Sequence, residues 1–245
     1  MITNKLGSAI LVGVCVMVPV RVRAADVECP VFASPVIELR VDPPDDRIDT
    51  TKSLAQMRRA AGKIRHAAPL VGAYLGALQY GIQIDDTVRQ TAAGVFCVTP
   101  KYVTLKLVLE RIVYIPREFT GDPCLAALAR DHEAKHADAE AKALDTVRPA
   151  LETAVREAVH RAAPAPGSSR AGALATLTVE IQSGVNHVLD DMATVRKQLD
   201  AKVDGPDEIA RLKTECGGAA RAISRRAFTV ISSAATDQCL TGGSR

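Results

Sequence analysis

The chain has 245 residues, of which 47% are hydrophobic and only 3% aromatic, and its formal charge is +3. It is long enough for one domain or two small ones, and apolar enough to bury a core. It shows no Lys/Arg stripe with interleaved aromatics and no Trp, which argues against a nucleic-acid surface.

Residues 1–24 read as a secretory signal peptide. Lys5 gives a short positive start, residues 9–18 an apolar run, and Val22, Arg23 and Ala24 resemble a small-residue cleavage site. The run is too short for a comfortable membrane span, so no stable membrane insertion is expected after cleavage. Residues 25–245 are expected to form a single domain, periplasmic or secreted. Without residues 1–24, the 31 basic residues fall to 28 and match the 28 acidic ones, so the basic character belongs to the targeting segment.

Residues 35–41 alternate polar and apolar side chains like a first strand, broken by Asp42, Pro43, Pro44, Asp45 and Asp46. Asp49 or Thr50 can cap a helix to about Ala67, with Leu54, Met57, Ala61 and Ile64 on one face. The glycines at 72, 76, 81 and 94 argue against one long helix across residues 70–97, and residues 80–84 suit a strand. Residues 95–98 and 102–109 form the strongest strand pair, separated by Thr99, Pro100 and Lys101. Residues 111–115 extend it up to Pro116.

At Asp122 the pattern changes period. Asp122 reads as an N-cap with Pro123 in the first turn, and Leu125, Leu128, Ala129, His132, Ala139 and Ala143 follow at helical spacing. The helix is expected to reach about Ala162, with Pro149 as a kink point. A linker at about residues 163–170 leads to a second long helix from about Ala171 to Val203. Its apolar stripe includes Leu177, Ile181, Val185, Val188, Met192 and Leu199. A third helix is expected from Pro206 to about Arg226.

The first long helix carries His132-Glu133-x-x-His136. Positions i and i+4 share a helix face, so both imidazoles can take adjacent corners of a tetrahedral Zn²⁺. Glu133 stands beside the first of them, where its carboxylate can take and return the proton of a water polarised by the ion. This is the zincin arrangement.

Five cysteines follow the signal, and none forms a C-x-x-C pair, which disfavours a thiolate zinc site or a thioredoxin motif. Export would permit disulfides. Cys97–Cys124 would tie the strand region to the motif helix and Cys216–Cys239 would pin the tail, leaving Cys29 over; spacing alone does not settle the connectivity.

The stretch from Tyr102 to His136 resembles a family of uncharacterised bacterial exported proteins predicted to be zinc-dependent proteases. The strand run ending in Val113, Tyr114, Ile115 and Pro116, then Asp122, Pro123 and Cys124, then the His132/His136 helix carry the likeness. Leu199 and Asp200 followed by the segment 204–208 are a weaker echo. The resemblance implies a zincin-like metallopeptidase.

Two imidazoles leave a third ligand to be found. There is no His-x-x-Gly-x-x-His extension, so a metzincin is excluded. Glu140 lies on the histidine stripe but about 12 Å along the axis from His132, and reads as exposed or as a neighbour of the ligands. If the two long helices form an antiparallel hairpin, residues near 134 face residues near 199, which makes Asp200 the first choice and Asp204 the second.

The expected fold is α+β, with a small antiparallel sheet packed against the helical hairpin that carries the motif, plus a C-terminal helix. The expected function is zinc-dependent hydrolysis of peptide bonds in a peptide or protein substrate. His132, His136 and Asp200 or Asp204 would hold Zn²⁺ and Glu133 would move the proton. Tyr102, Tyr114 and Arg117 are candidates to stabilise the oxyanion. The alternative is a non-catalytic periplasmic helical binding or scaffolding protein that binds a metal without an open coordination position.

Overall fold

One strand organises the sheet. In the computed structural model, which describes residues 29–30, 34–61 and 70–219, β4 (Phe96–Tyr114) pairs with every other described strand. Its residues Val103, Leu105, Leu107 and Leu109 are buried while Lys106 between them is exposed, the period-two signature of a sheet with one packed face. β3 (Ala73–Gln90) runs antiparallel along one edge of β4 from end to end. The two are joined by a tight turn in which Gly94 takes φ +80°, a value that suits glycine.

Because β3 occupies one edge throughout, the other strands share the opposite edge in tandem. β1 (Val36–Val41) pairs parallel with Tyr102 to Leu107, and β2 (Asp45–Asp49) pairs parallel with Glu110 to Tyr114. β5 (Ala165–Gly167) pairs antiparallel with Phe96 to Val98. The antiparallel sheet expected from the sequence is therefore corrected to a mixed one within an α/β arrangement. The residues between β2 and β4, which include α1 (Leu54–Ala61) and β3, provide the crossover that parallel pairing needs. Pro43 and Pro44 step the chain from β1 to β2 without reversing it.

The turn expected at Thr99, Pro100 and Lys101 is also absent. The register shifts between Asp85 and Asp86, so β4 passes Pro100 as an irregularity inside one long strand. Pro100 lies between the segments of β4 that pair with β5 and β1, where its missing N–H costs no ladder bond on that edge.

Two long helices cover the inner face of the sheet. α2 (Pro123–Ala162) begins as its sequence suggests: Asp122 Oδ1 accepts from the backbone N–H of Cys124 at 2.9 Å and of Leu125 at 3.2 Å. α3 (Arg170–Val203) is capped by Ser169 and returns alongside α2. Leu144, Leu151 and Val155 of α2 meet Leu177, Ile181 and Val185 of α3, with Leu105 and Leu107 of β4 beneath. Truncating fully buried Leu151 to Ala would cost about 2–5 kcal/mol. A smaller cluster of Val71, Ile115, Phe119, Leu125, Leu128 and Leu212 surrounds the start of α2.

α4 (Pro206–Thr214) is shorter than expected. The chain leaves the helix at residues 215–218, where Cys216 and Gly217 have φ of 54° and 63°. The disulfides are Cys29–Cys97 and Cys124–Cys216, which replace the expected Cys97–Cys124 pair. Cys29 lies against β4, and Cys216 just past α4 returns to the first turn of α2, so each expected partner is already taken. Cys239 and residues 1–24, read above as a signal peptide, lie outside the described residues. The two disulfides fit an oxidising compartment. No helix among the described residues is long and apolar enough to cross a membrane.

Candidate metal centre

Three elements converge on the histidine pair. His132 and His136 sit one turn apart on α2, with ring centroids 5.0 Å apart and planes at 89°. The antiparallel course of α3 brings its last turn opposite them, so Asp200 lies on that turn and Asp204 at the helix C-cap. Gly205 and Pro206 then start α4, whose first turn supplies Glu208.

Each ring has one nitrogen held by protein. His132 Nδ1 lies 3.0 Å from Glu208 Oε1, and His136 Nδ1 lies 2.8 Å from Asp200 Oδ1. A neutral imidazole placed in this way donates Nδ1–H to the carboxylate and keeps the Nε2 lone pair for a cation. Both Nε2 atoms face the same oxygen, Asp204 Oδ1, at 3.6 Å from His132 and 3.5 Å from His136.

These three ligand atoms lie within 4.8 Å of one another. Tetrahedral ligands about 2.0–2.1 Å from a zinc ion stand about 3.3–3.4 Å apart, so the His–Asp separations need to contract only slightly around an ion. The group fits a metal ion, and its two-nitrogen, one-oxygen donor set suits a tetrahedral site with a fourth position left open. Asp200, the first choice from sequence, faces the opposite ring nitrogen of His136 and orients it. Asp204, the second choice, is the carboxylate that joins the two histidines in the group that could hold an ion.

Glu133 is buried beside this group at 3% exposure. A Cβ at Gly72 would stand 2.6 Å from its Oε1, so the bare backbone before β3 makes its seat. Burial raises the Glu133 carboxyl to about 8, an effect that the charge of His136 opposes and that of Asp204 reinforces. Burial also lowers both histidines. For His136, hydrogen bonds to Asp204 and Asp200 and the charge of Glu133 outweigh that and lift it to about 9. For His132, burial and the charge of His136 prevail over Glu208, and it stays below the usual value. Glu208 is held well below the carboxylate range, first by Arg211 and then, against burial, by Lys135 and His132.

A further layer was not legible in the sequence. Glu140, read there as exposed or as a neighbour of the ligands, is 1% exposed. It accepts a hydrogen bond from the Tyr74 hydroxyl and an ion pair from Arg196 Nη1 at 2.8 Å. Its position one turn beyond His136 was the available signal; Tyr74 and Arg196 gave none. The oxyanion candidates are not brought to the group. Tyr102 is 54% exposed, Tyr102 and Tyr114 belong to the outward-facing set of β4 residues, and Arg117 is exposed in a 3₁₀ turn.

No family model matches the chain, and no curated protein or solved structure is detectably similar to it. The geometry of the side chains therefore carries the functional argument.

Proposed function

We propose that the chain is an exported zinc-dependent peptidase. The observation that carries this reading is the convergence of His132 Nε2, His136 Nε2 and Asp204 Oδ1 beside the buried carboxyl of Glu133. His132, His136 and Asp204 would hold the ion, and Asp200 and Glu208 would orient the two rings. A zinc ion held by three protein ligands supplies Lewis acidity and brings the pKa of a water close to neutral.

Glu133 supplies what a hydrolase needs next to such an ion. It is not one of the converging ligands, so its carboxylate is available to accept a proton from the attacking water and pass it to the leaving amine. Its low-dielectric seat raises its basicity, while the nearby cationic site favours its ionised form. Among the described residues no strand pairs with the outer edge of β3, which passes over Glu133 and Glu140. An extended peptide could add to that edge by backbone hydrogen bonds, as strand addition does elsewhere.

The test is peptide hydrolysis by the full mature chain, with zinc content measured in parallel. Glu133→Gln is expected to keep zinc and lose about 10²–10⁴-fold in rate. His136→Ala is expected to lose both zinc and activity. Equal rates for wild type and Glu133→Gln would contradict the mechanism. Stoichiometric zinc in a wild type that cleaves nothing in a broad peptide library would favour a metal-binding scaffold.

A further inference from the structure

We propose that Arg196 and Glu140 are positioning residues for the metal group: they hold Asp200 against His136 and so fix the direction in which that imidazole presents Nε2. The inference rests on the metal-site reading above. It starts from an expensive feature. Glu140 is a carboxylate at 1% exposure, beside the apolar layer formed by α2, α3 and the sheet. A carboxylate buried there must be paired, and a buried ion pair seldom stabilises more than a well-packed apolar side chain would. Stability alone therefore does not account for it.

Its contacts point to the histidines. Glu140 Oε2 accepts from the Tyr74 hydroxyl on β3, and Oε1 pairs with Arg196 Nη1 at 2.8 Å. The same guanidinium reaches Asp200 Oδ2 through Nε at 3.5 Å and the Gly76 carbonyl through Nη1 at 3.4 Å. Asp200 turns its other oxygen, Oδ1, to His136 Nδ1 at 2.8 Å. The connection thus runs from β3 through α2 and α3 into the imidazole, with the Arg196–Asp200 ion pair as its longest carboxylate contact. Gly76 makes room for it, because any Cβ at that position would overlap the Glu140 carboxylate.

Arg196 could instead be read as a receptor for a substrate carboxylate, since it borders an open cleft with Leu78, Met192 and Lys197. Its Nη1 is already engaged by Glu140 and Gly76 and its Nε by Asp200, and its guanidinium lies 5.7 Å from the centre of the Tyr74 ring. A group so committed orients its neighbours. The molecule also contains a built-in control. Tyr80 of β3 donates to Asn186 Oδ1 of α3 at 2.7 Å, linking the same two elements without touching the histidines.

The experiment measures zinc affinity of the mature chain by chelator competition, together with the melting temperature of the metal-free protein. Arg196→Met is expected to weaken zinc about tenfold, the lower end of what loss of a ligand-orienting partner costs. Arg196→Lys should recover part of that, because an ammonium can reach one of the two carboxylates but cannot bridge both as the planar fork does. Tyr80→Phe should lower the melting temperature and leave zinc affinity unchanged. If Arg196→Met does not fold, Arg196→Lys decides: weaker zinc supports the proposal and unchanged zinc overturns it. Unchanged affinity in a folded Arg196→Met, or equal weakening in Tyr80→Phe, overturns it too. A wild type that binds no zinc overturns the metal reading as well, which separates the two failures.

Discussion

A methyl group added at Gly72 would stand 2.6 Å from Glu133 Oε1 and 2.8 Å from its Cγ, well inside van der Waals contact. Neither backbone nor helix can yield by that much cheaply, so Gly72→Ala should expel the carboxylate from its seat. We expect zinc content to be unchanged and hydrolysis to fall about 10²–10⁴-fold, as for loss of the proton-transfer group itself. A rate equal to wild type, measured with zinc content in parallel, would show that Glu133 does not need this seat. The same scale explains what the sequence could and could not disclose. The His132/His136 spacing is legible because i and i+4 share a face in any helix. The choice between Asp200 and Asp204 is not, because it depends on which ring nitrogen each carboxylate meets, and that follows from how α3 ends. Glu140 is hidden for a similar reason: its partners come from two other elements, and Gly76 reads in sequence only as a residue that argues against a long helix.

At the level of elements, the helices announced themselves and the strand pairing did not. Asp122 and Pro123 mark the start of α2, because capping is a local interaction. The sequence marks residues 35–41, 95–98 and 102–109 as extended, but it carries no sign of a partner's direction and does not show that the last two belong to one strand, β4. Parallel pairing of β1 and β2 with β4 depends on the crossover through α1 and β3, and that is a property of the whole chain. The disulfides were obscured for the same reason. Cys124–Cys216 closes a separation of 92 residues and fastens α4, which carries Glu208, to the first turn of α2. Replacing both cysteines with Ser should destabilise the protein by about 2–4 kcal/mol. Through Glu208 it should also speed zinc release, which a chelator-trapping experiment would follow. Zinc release at the wild-type rate would show that Glu208 is held without the staple.

Across the whole molecule, the apolar contacts of α2 with α3 and the sheet fix the two helices, and the metal group lies where their ends meet α4. The two histidines come from the third and fourth turns of α2 and Asp204 from the C-cap of α3, so the group forms only once the hairpin has closed. The two disulfides among the described residues fit an oxidising location. The most direct measurement is anomalous diffraction at the zinc edge from crystals of the mature chain grown with zinc. We expect one ion about 2.0–2.1 Å from His132 Nε2, His136 Nε2 and an Asp204 oxygen, with Asp200 still on His136 Nδ1 and Glu133 off the metal. An ion bound to Asp200 or Glu133 in place of Asp204, or no ion between the two imidazoles, would contradict it.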